Sequence, residues 1–228
     1  METNAPMTTD ADLVDVRDML VVHTALLREF RLAPAAVRRV AHDDRRQAFA
    51  VERHLDLVCG LMHHHHVGED ELLWPVLSPR LDARATPLLD VAEAQHAGIE
   101  AALDRVSGAR LSWLGGADDA SREELADALS RLHALLAEHL EHEERHLLPL
   151  AAAHLSEAEW HAIGDAGARS VPKRDLMLVF GMFAYEGDPE VLRLMLASAP
   201  PPVRFLVPRI APRVYARRAR RVHGTPTP

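Results

Sequence analysis

The chain is 228 residues long, with 48% apolar residues and a net charge of −8, which fits one large domain or one domain with an appendage. Its apolar runs fall well short of the roughly 18 residues that a membrane span needs, and the polar, acidic start METNAPMTTDADL is no signal peptide, so a cytoplasmic protein is expected. One cysteine, Cys59, excludes a disulfide framework, and 4% aromatics with two tyrosines argue against nucleic-acid stacking platforms.

Ala, Leu, Arg and Glu dominate, and alternating β-branched runs are missing, so the chain reads as all-α. Residues 1–12 are expected to be largely disordered. A first amphipathic helix is predicted from about Ala11 to Phe30, ahead of Pro34. A second runs from about Asp43 to Val67, with a kinked continuation through Gly68 to Leu73. A third lies between Thr86–Pro87 and Gly108, and GARLSWLGGADDA reads as the loop after it. A fourth starts at Ser121, where SREE reads as a capping box, and continues to about His154. Four such helices predict an antiparallel four-helix bundle over residues 13–164.

From Pro172 onward ten Lys/Arg face four Asp/Glu, a balance of +6, so the rest of the chain carries −14. Residues 165–228 read as short helices cut by Gly187-Asp188-Pro189 and Pro200-Pro201-Pro202. Two pieces, around Leu176–Phe183 and Val191–Leu196, are too apolar to stand alone in water, so this extension is expected to pack on the bundle. Its basic end, RRARRVHG from Arg217, docks on the acidic body or meets an anionic partner. The former is favoured, because aromatic interleaving and a DNA-binding motif are both missing.

Fifteen histidines are the unusual feature, and their placement contains an internal repeat. HHVGEDELLWPVL from His65 and HLEHEERHLLPLA from His139 each place a glutamate four residues and a proline ten residues after a histidine. His65, Glu69 and Pro75 thus correspond to His139, Glu143 and Pro149 at an offset of 74, and His23 corresponds to His96 at 73. Each half is a helical hairpin with one histidine on its first helix and HxxxE on its second. Residues four apart on a helix share a face about 6 Å apart, so imidazole and carboxylate reach one point, a donor pair suited to a borderline metal. Two hairpins related by a pseudo-two-fold bring both pairs together as two metals bridged by the two glutamates.

This pattern is similar to the hemerythrin family, whose bacterial form is the HHE cation-binding domain, over about Leu13 to His154. The family's lone histidine on helix one is matched by His23, HxxxE on helix two by His65 and Glu69, the helix-three histidine by His96, and the helix-four pair by His139 and Glu143. The resemblance implies two iron ions in an oxo- or hydroxo-bridged non-haem centre, with manganese as the alternative metal. It also implies an open position for O2, peroxide or NO. Oxygen carriers of the family have HxxxH on helix three, whereas HAGIE here offers His96 and Glu100, so Glu100 is a further candidate ligand. Glu143 is preferred over Glu144 because it follows the repeat. Three carboxylates would favour the ferric state and slow the exchange of O2.

Of the run His63–His66, His65 is the candidate ligand; His66 is placed outside it or exposed, and His63 and His64 are solvated. Trp74 is either a wall of a dry pocket beside the metals or ordinary core. The expected function is binding or sensing of O2, peroxide or NO. A catalase- or peroxidase-like enzyme and an iron- or redox-responsive regulatory module are the alternatives, because all three use the same ligands.

Overall fold

The computed structural model describes residues 13–116 and 118–228; the segment 1–12, for which disorder was expected, lies outside them. Among the described residues the chain is all-helical, with no strand, and no helix is long and apolar enough to cross a membrane. The helices are α1 (Arg17–Arg38), α2 (Arg45–Gly68), α3 (Trp74–Leu77), α4 (Thr86–Gly116), α5 (Asp119–His142), α6 (Leu148–His154), α7 (Glu157–Ser170), α8 (Leu176–Phe183), α9 (Pro189–Met195) and α10 (Pro201–Val222).

Five of these have 22 residues or more, and four of the five pack on one another: α1 on α2 and α5, and α4 on α2 and α5. Helical spacing explains the enclosed core. Leu125, Leu129, Leu132 and Leu136 recur on one face of α5 and are each fully buried, against Phe30 and Val37 of α1 and Ile99 and Val106 of α4. Truncating one of these leucines to alanine would cost about 2–5 kcal/mol. A smaller apolar cluster is built from Leu73, Trp74, Leu77, Leu89, Leu147 and Leu148, closed by Trp160 of α7.

Two π-helical turns interrupt the helices at matching places. Glu69–Leu73 joins α2 to α3 and Glu143–Leu147 joins α5 to α6. In each, the amide after the turn reaches five residues back, Trp74 to the Glu69 carbonyl and Leu148 to the Glu143 carbonyl. The sequence supplies the cause: Pro75 and Pro149 have no amide hydrogen to continue the ordinary ladder.

Several helix ends differ from expectation. Helix α1 runs through Pro34 to Arg38, because Ala33, Pro34, Ala36 and Val37 continue its buried face. Helix α4 extends eight residues beyond Gly108, so most of the expected loop is helical. Trp113 is buried there, and Arg110 Nη2 donates to Glu52 (2.6 Å) and Asp56 (2.8 Å) of α2. Helix α5 begins at Asp119, capped by Asp118, whose side chain accepts from the Ser121 amide at 2.7 Å; Ser121 is not itself the cap. A capping box does occur, at Ser156 and Glu159 of α7. Residue 164, the expected end of the bundle, lies inside α7.

The C-terminal helices pack on the long ones: α7 and α10 on α2, α8 and α9 on α1, and α10 on α8. Helices α8 and α10 cross so closely that a Cβ at Gly181 would collide with the Ala211 carbonyl. A buried polar knot ties this segment to α1. Arg28 Nη2 donates to Glu29 Oε1 and to the Met182 carbonyl, both at 2.9 Å. Glu29 also accepts from Tyr215 Oη (2.6 Å), His54 Nε2 (2.8 Å) and His223 Nε2 (3.3 Å). Burial alone would raise the Glu29 carboxyl, but the bonds from His223 and His54 and the charge of Arg28 hold it well below the usual range.

Candidate metal centre

A layer of histidine and glutamate lies between the two apolar clusters on α1, α2, α4 and α5. On α1, His23 falls between Met19 and Leu26; on α2 and its continuation, His65, His66 and Glu69 fall between Met62 and Leu73. On α4, His96 separates Ala92 from Ile99, and on α5, His139 and Glu143 lie between Leu136 and Leu147.

The ligand atoms converge as two overlapping groups. His23, His65, Glu69 and Glu143 form one, and His66, Glu69, His96 and His139 the other, with the atoms of each group within 4.8 Å of one another. The glutamates lie between the groups. Glu69 Oε1 is 3.4 Å from His65 Nε2, and its Oε2 is 3.6 Å from His96 Nε2. Glu143 Oε2 is 3.7 Å from His23 Nε2, and its Oε1 is 3.5 Å from His139 Nε2.

These separations exceed hydrogen-bond length yet suit groups that share a cation, and the bonding state of the atoms agrees. His23 Nε2, His65 Nε2, both nitrogens of His66, Glu69 Oε2 and both oxygens of Glu143 are buried with no hydrogen-bond partner. Seven orphaned polar atoms in one place would be very costly without a ligand. Around them the far ring nitrogens are held. His23 Nδ1 donates to Glu144 (3.0 Å), His96 Nδ1 to Asp70 (2.8 Å) and His139 Nδ1 to the Gln95 side chain (3.2 Å). Fixing Nδ1 as the donor turns the Nε2 lone pairs inward, where those of His96 and His139 face each other at 3.1 Å, the usual support of metal-binding histidines. Asp70 and Glu144 occupy equivalent positions in the two halves, so the repeat extends to this outer layer.

The electrostatics also suit a cation. Burial and the neighbouring imidazole of His23 push His65 down to about 3, and burial above all brings His139 down to about 4. Both are therefore neutral donors at pH 7. His66 is likewise driven down by burial and by His65. Burial would raise both carboxyls; it does so for Glu69, helped by the charge of Glu143. For Glu143, the His96 imidazole 3.8 Å away and the other surrounding imidazoles prevail and bring it to about 2. Without a cation the second negative charge is disfavoured, and a cation would remove that penalty.

Of the seven residues singled out from the sequence, the structure brings together His23, His65, Glu69, His96, His139 and Glu143. It does not bring in Glu100, which is exposed, pairs with His63 Nδ1 at 3.2 Å and faces a surface hollow. The third carboxylate behind the expected slow O2 exchange is therefore not in the cluster. The residue missed is His66, buried with its ring stacked on His96 at 4.2 Å between centroids. Its signal was present in HHHH: His65 and His66 both lie on α2 before the π turn, about 100° apart, and each enters a different one of the two groups. Glu144 holds a histidine from outside, as its exposure requires.

The two groups are unequal. One has three histidines and the other two, and beside the two-histidine group lies an apolar cavity of about 180 Å3 that reaches His65 and Glu69. Met19, Val22 and Leu61 line one side, and Trp160, Gly164 and Gly167 of α7 with Phe183 of α8 line the other. Trp74 is not among its walls; it is core, with Trp160 standing where that wall was expected.

The hemerythrin HHE cation binding domain model matches residues 14–151. Neither the curated proteins nor the solved structures contain a match. A match over more than half of the chain, spanning both hairpins and every histidine and glutamate of the cluster, means that the chain belongs to the hemerythrin HHE cation-binding family.

Proposed function

We propose that the chain is a non-haem di-iron protein that binds or senses a small ligand, O2, NO or peroxide, at the two-histidine end of a hemerythrin-like centre. The observation that carries this reading is the inequality of the two groups across shared glutamates, with the poorer group beside the apolar cavity. The architecture proposed is an antiparallel four-helix bundle over 13–164 with a C-terminal extension over 165–228. Its support is the alternating order of the two apolar clusters along α1, α2, α4 and α5.

His66, His96 and His139 would hold one iron and His23 and His65 the other, with Glu69 and Glu143 bridging. When bound, an iron pair supplies electron transfer and an exchangeable coordination position. The chain supplies the rest. Asp70, Glu144 and Gln95 fix three imidazoles in the orientation that presents Nε2. Met19, Val22, Leu61 and Phe183 keep bulk water from the exchangeable side, where a diatomic ligand needs shelter from protons. Manganese fits the same donors. A single Cys59 supports a cytoplasmic setting.

Elemental analysis of protein produced with iron, followed by absorption spectra before and after azide, tests this. Two irons per chain and azide-sensitive near-ultraviolet bands are expected. A metal-free chain, or one zinc without such bands, overturns the reading. Sustained O2 release from peroxide would move it to a catalase-like enzyme.

A further inference from the structure

A second site lies on the opposite side of the extension, where α2, the start of α8 and α10 meet. A cleft of about 350 Å3 opens there, with Ala50, Leu178 and Val214 as its apolar lining. Around it stand Arg53 of α2, Arg174 before α8, and Arg217, Arg218 and Arg221 of α10. Among the described residues the only acid lining it is Asp175, which accepts from Arg174 Nε at 3.3 Å. Five guanidiniums against one carboxylate leave a formal charge of +4 in one hollow.

That concentration is unusual in this molecule. Arg17, Arg28, Arg38, Arg80 and Arg110 each meet carboxylates at 2.6–2.9 Å, and the acidic body offers many such partners. Arg53, Arg217, Arg218 and Arg221 form no ion pair among the described residues. Arg218 is half-buried, and burial together with the charges of Arg53 and Arg221 disfavours its protonated form. The tail is nevertheless fixed in place. Tyr215, Ala219 and Val222 are buried on the other face of α10, and Gln47 Nε2 of α2 donates to the Arg221 carbonyl at 2.6 Å. The fold therefore holds like charges together around a cavity, an arrangement that a bound anion would relieve.

We propose that this cleft binds a polyvalent phosphate anion of small-molecule size, a tripolyphosphate or the phosphate chain of a nucleotide. Arginine forks match phosphate oxygens in pairs, and a ligand of charge near −4 matches the balance of the hollow. The arginines converge from three segments on one concavity rather than lining an extended face, which favours a compact anion over the repeating phosphates of a duplex. Phe49, 57% exposed at the rim, offers an aromatic face on which a nucleotide base can lie.

Calorimetric titration of the metal-loaded chain with orthophosphate, tripolyphosphate, ATP and a short DNA duplex tests the proposal, with bound metal measured before and after so that chelation is not read as binding. Tripolyphosphate or ATP should bind one per chain, at least tenfold more tightly than orthophosphate. Arg53→Gln, at an exposed position, and Arg218→Gln should each weaken it about tenfold, while Arg204→Gln, outside the cleft, should not. Tighter binding of ATP, lost in Phe49→Ala, would identify a nucleotide; equal binding of both would identify a polyphosphate. No binding, equal affinity for orthophosphate and tripolyphosphate, preference for the duplex, or indifference to Arg53→Gln overturns the proposal.

Discussion

Replacing His66 with leucine should move stability and metal content in opposite directions. Both imidazole nitrogens of His66 are buried without partners, and a buried unsatisfied polar group costs about 1–3 kcal/mol. Leucine fills a similar volume without that penalty. The other half of the repeat already carries one at the equivalent place, Leu140, which is 2% exposed. His66→Leu should therefore stabilise the metal-free chain by about 2 kcal/mol, and at about 2–4 °C per kcal/mol for a chain of this size the melting temperature rises by roughly 4–8 °C. In protein produced with iron, the same change removes one of three histidines from its group, and iron should fall from two to about one per chain. Thermal melts of the metal-free proteins and elemental analysis of the loaded ones read both. A lower melting temperature together with unchanged iron would falsify the assignment of His66 as a ligand.

Three further outcomes follow from the geometry. Gly167→Leu places its side chain in the apolar cavity, since a Cβ there meets nothing within 4 Å; azide binding to loaded protein should weaken at least tenfold while helix α7 gains about 0.7–1 kcal/mol, and unchanged azide affinity would separate the cavity from the ligand path. Glu29, held low, contributes stability that is present above about pH 4.5 and lost as pH falls through its folded value. Below pH 4.5 the knot of Arg28, His54, Tyr215 and His223 should therefore loosen, with Glu186 the remaining acid at Arg28; cleavage in residues 171–200 by an acid-active protease reports it, and Glu29→Gln should flatten that pH dependence while costing about 3 kcal/mol at pH 7. Partial burial against the core pushes the Cys59 thiol up to about 11 from 9.0, so its labelling by a disulfide reagent at pH 8 should be about a hundredfold slower than in urea, and stoichiometric labelling at the free-thiol rate counts against that shielding.

What the sequence disclosed and what it hid divide along the reach of local periodicity. The HxxxE pairs and the lone histidines were legible because ligand spacing on a helix repeats, and the repeat at 74 residues made accident a poor account. The extension's apolar pieces were legible because eight residues such as LMLVFGMF have no stable place in water. His66 was hidden because neighbours on a helix point about 100° apart, so only one of them was sought for a single point, whereas His65 and His66 enter different groups of the cluster. Glu100 misled for the converse reason. Position i+4 from His96 shares its face in a regular helix, yet α4 is turned so that Ile99 enters the core and Glu100 faces solvent. The continuation of α4 past Gly108 was hidden because its cause is tertiary: Trp113 finds the core and Arg110 finds two acids of another helix.

The asymmetry of the centre follows from a single departure from the repeat. Two equal hairpins would give two equal metal positions, each with two histidines, two shared glutamates and the same support from Asp70 or Glu144. Histidine at 66, where the second half has Leu140, adds a third imidazole to the group of His96 and His139 only. The other group has two histidines, and that same side is where α7 and α8 close an apolar cavity over His65. The number of histidines in a group and its shelter are thus set by separate parts of the chain, His66 within the family domain and the helices beyond residue 151 outside it. A chain cut after α6 should keep the histidine set and still lose control of what reaches it, because Trp160, Gly167 and Phe183 form the outer wall.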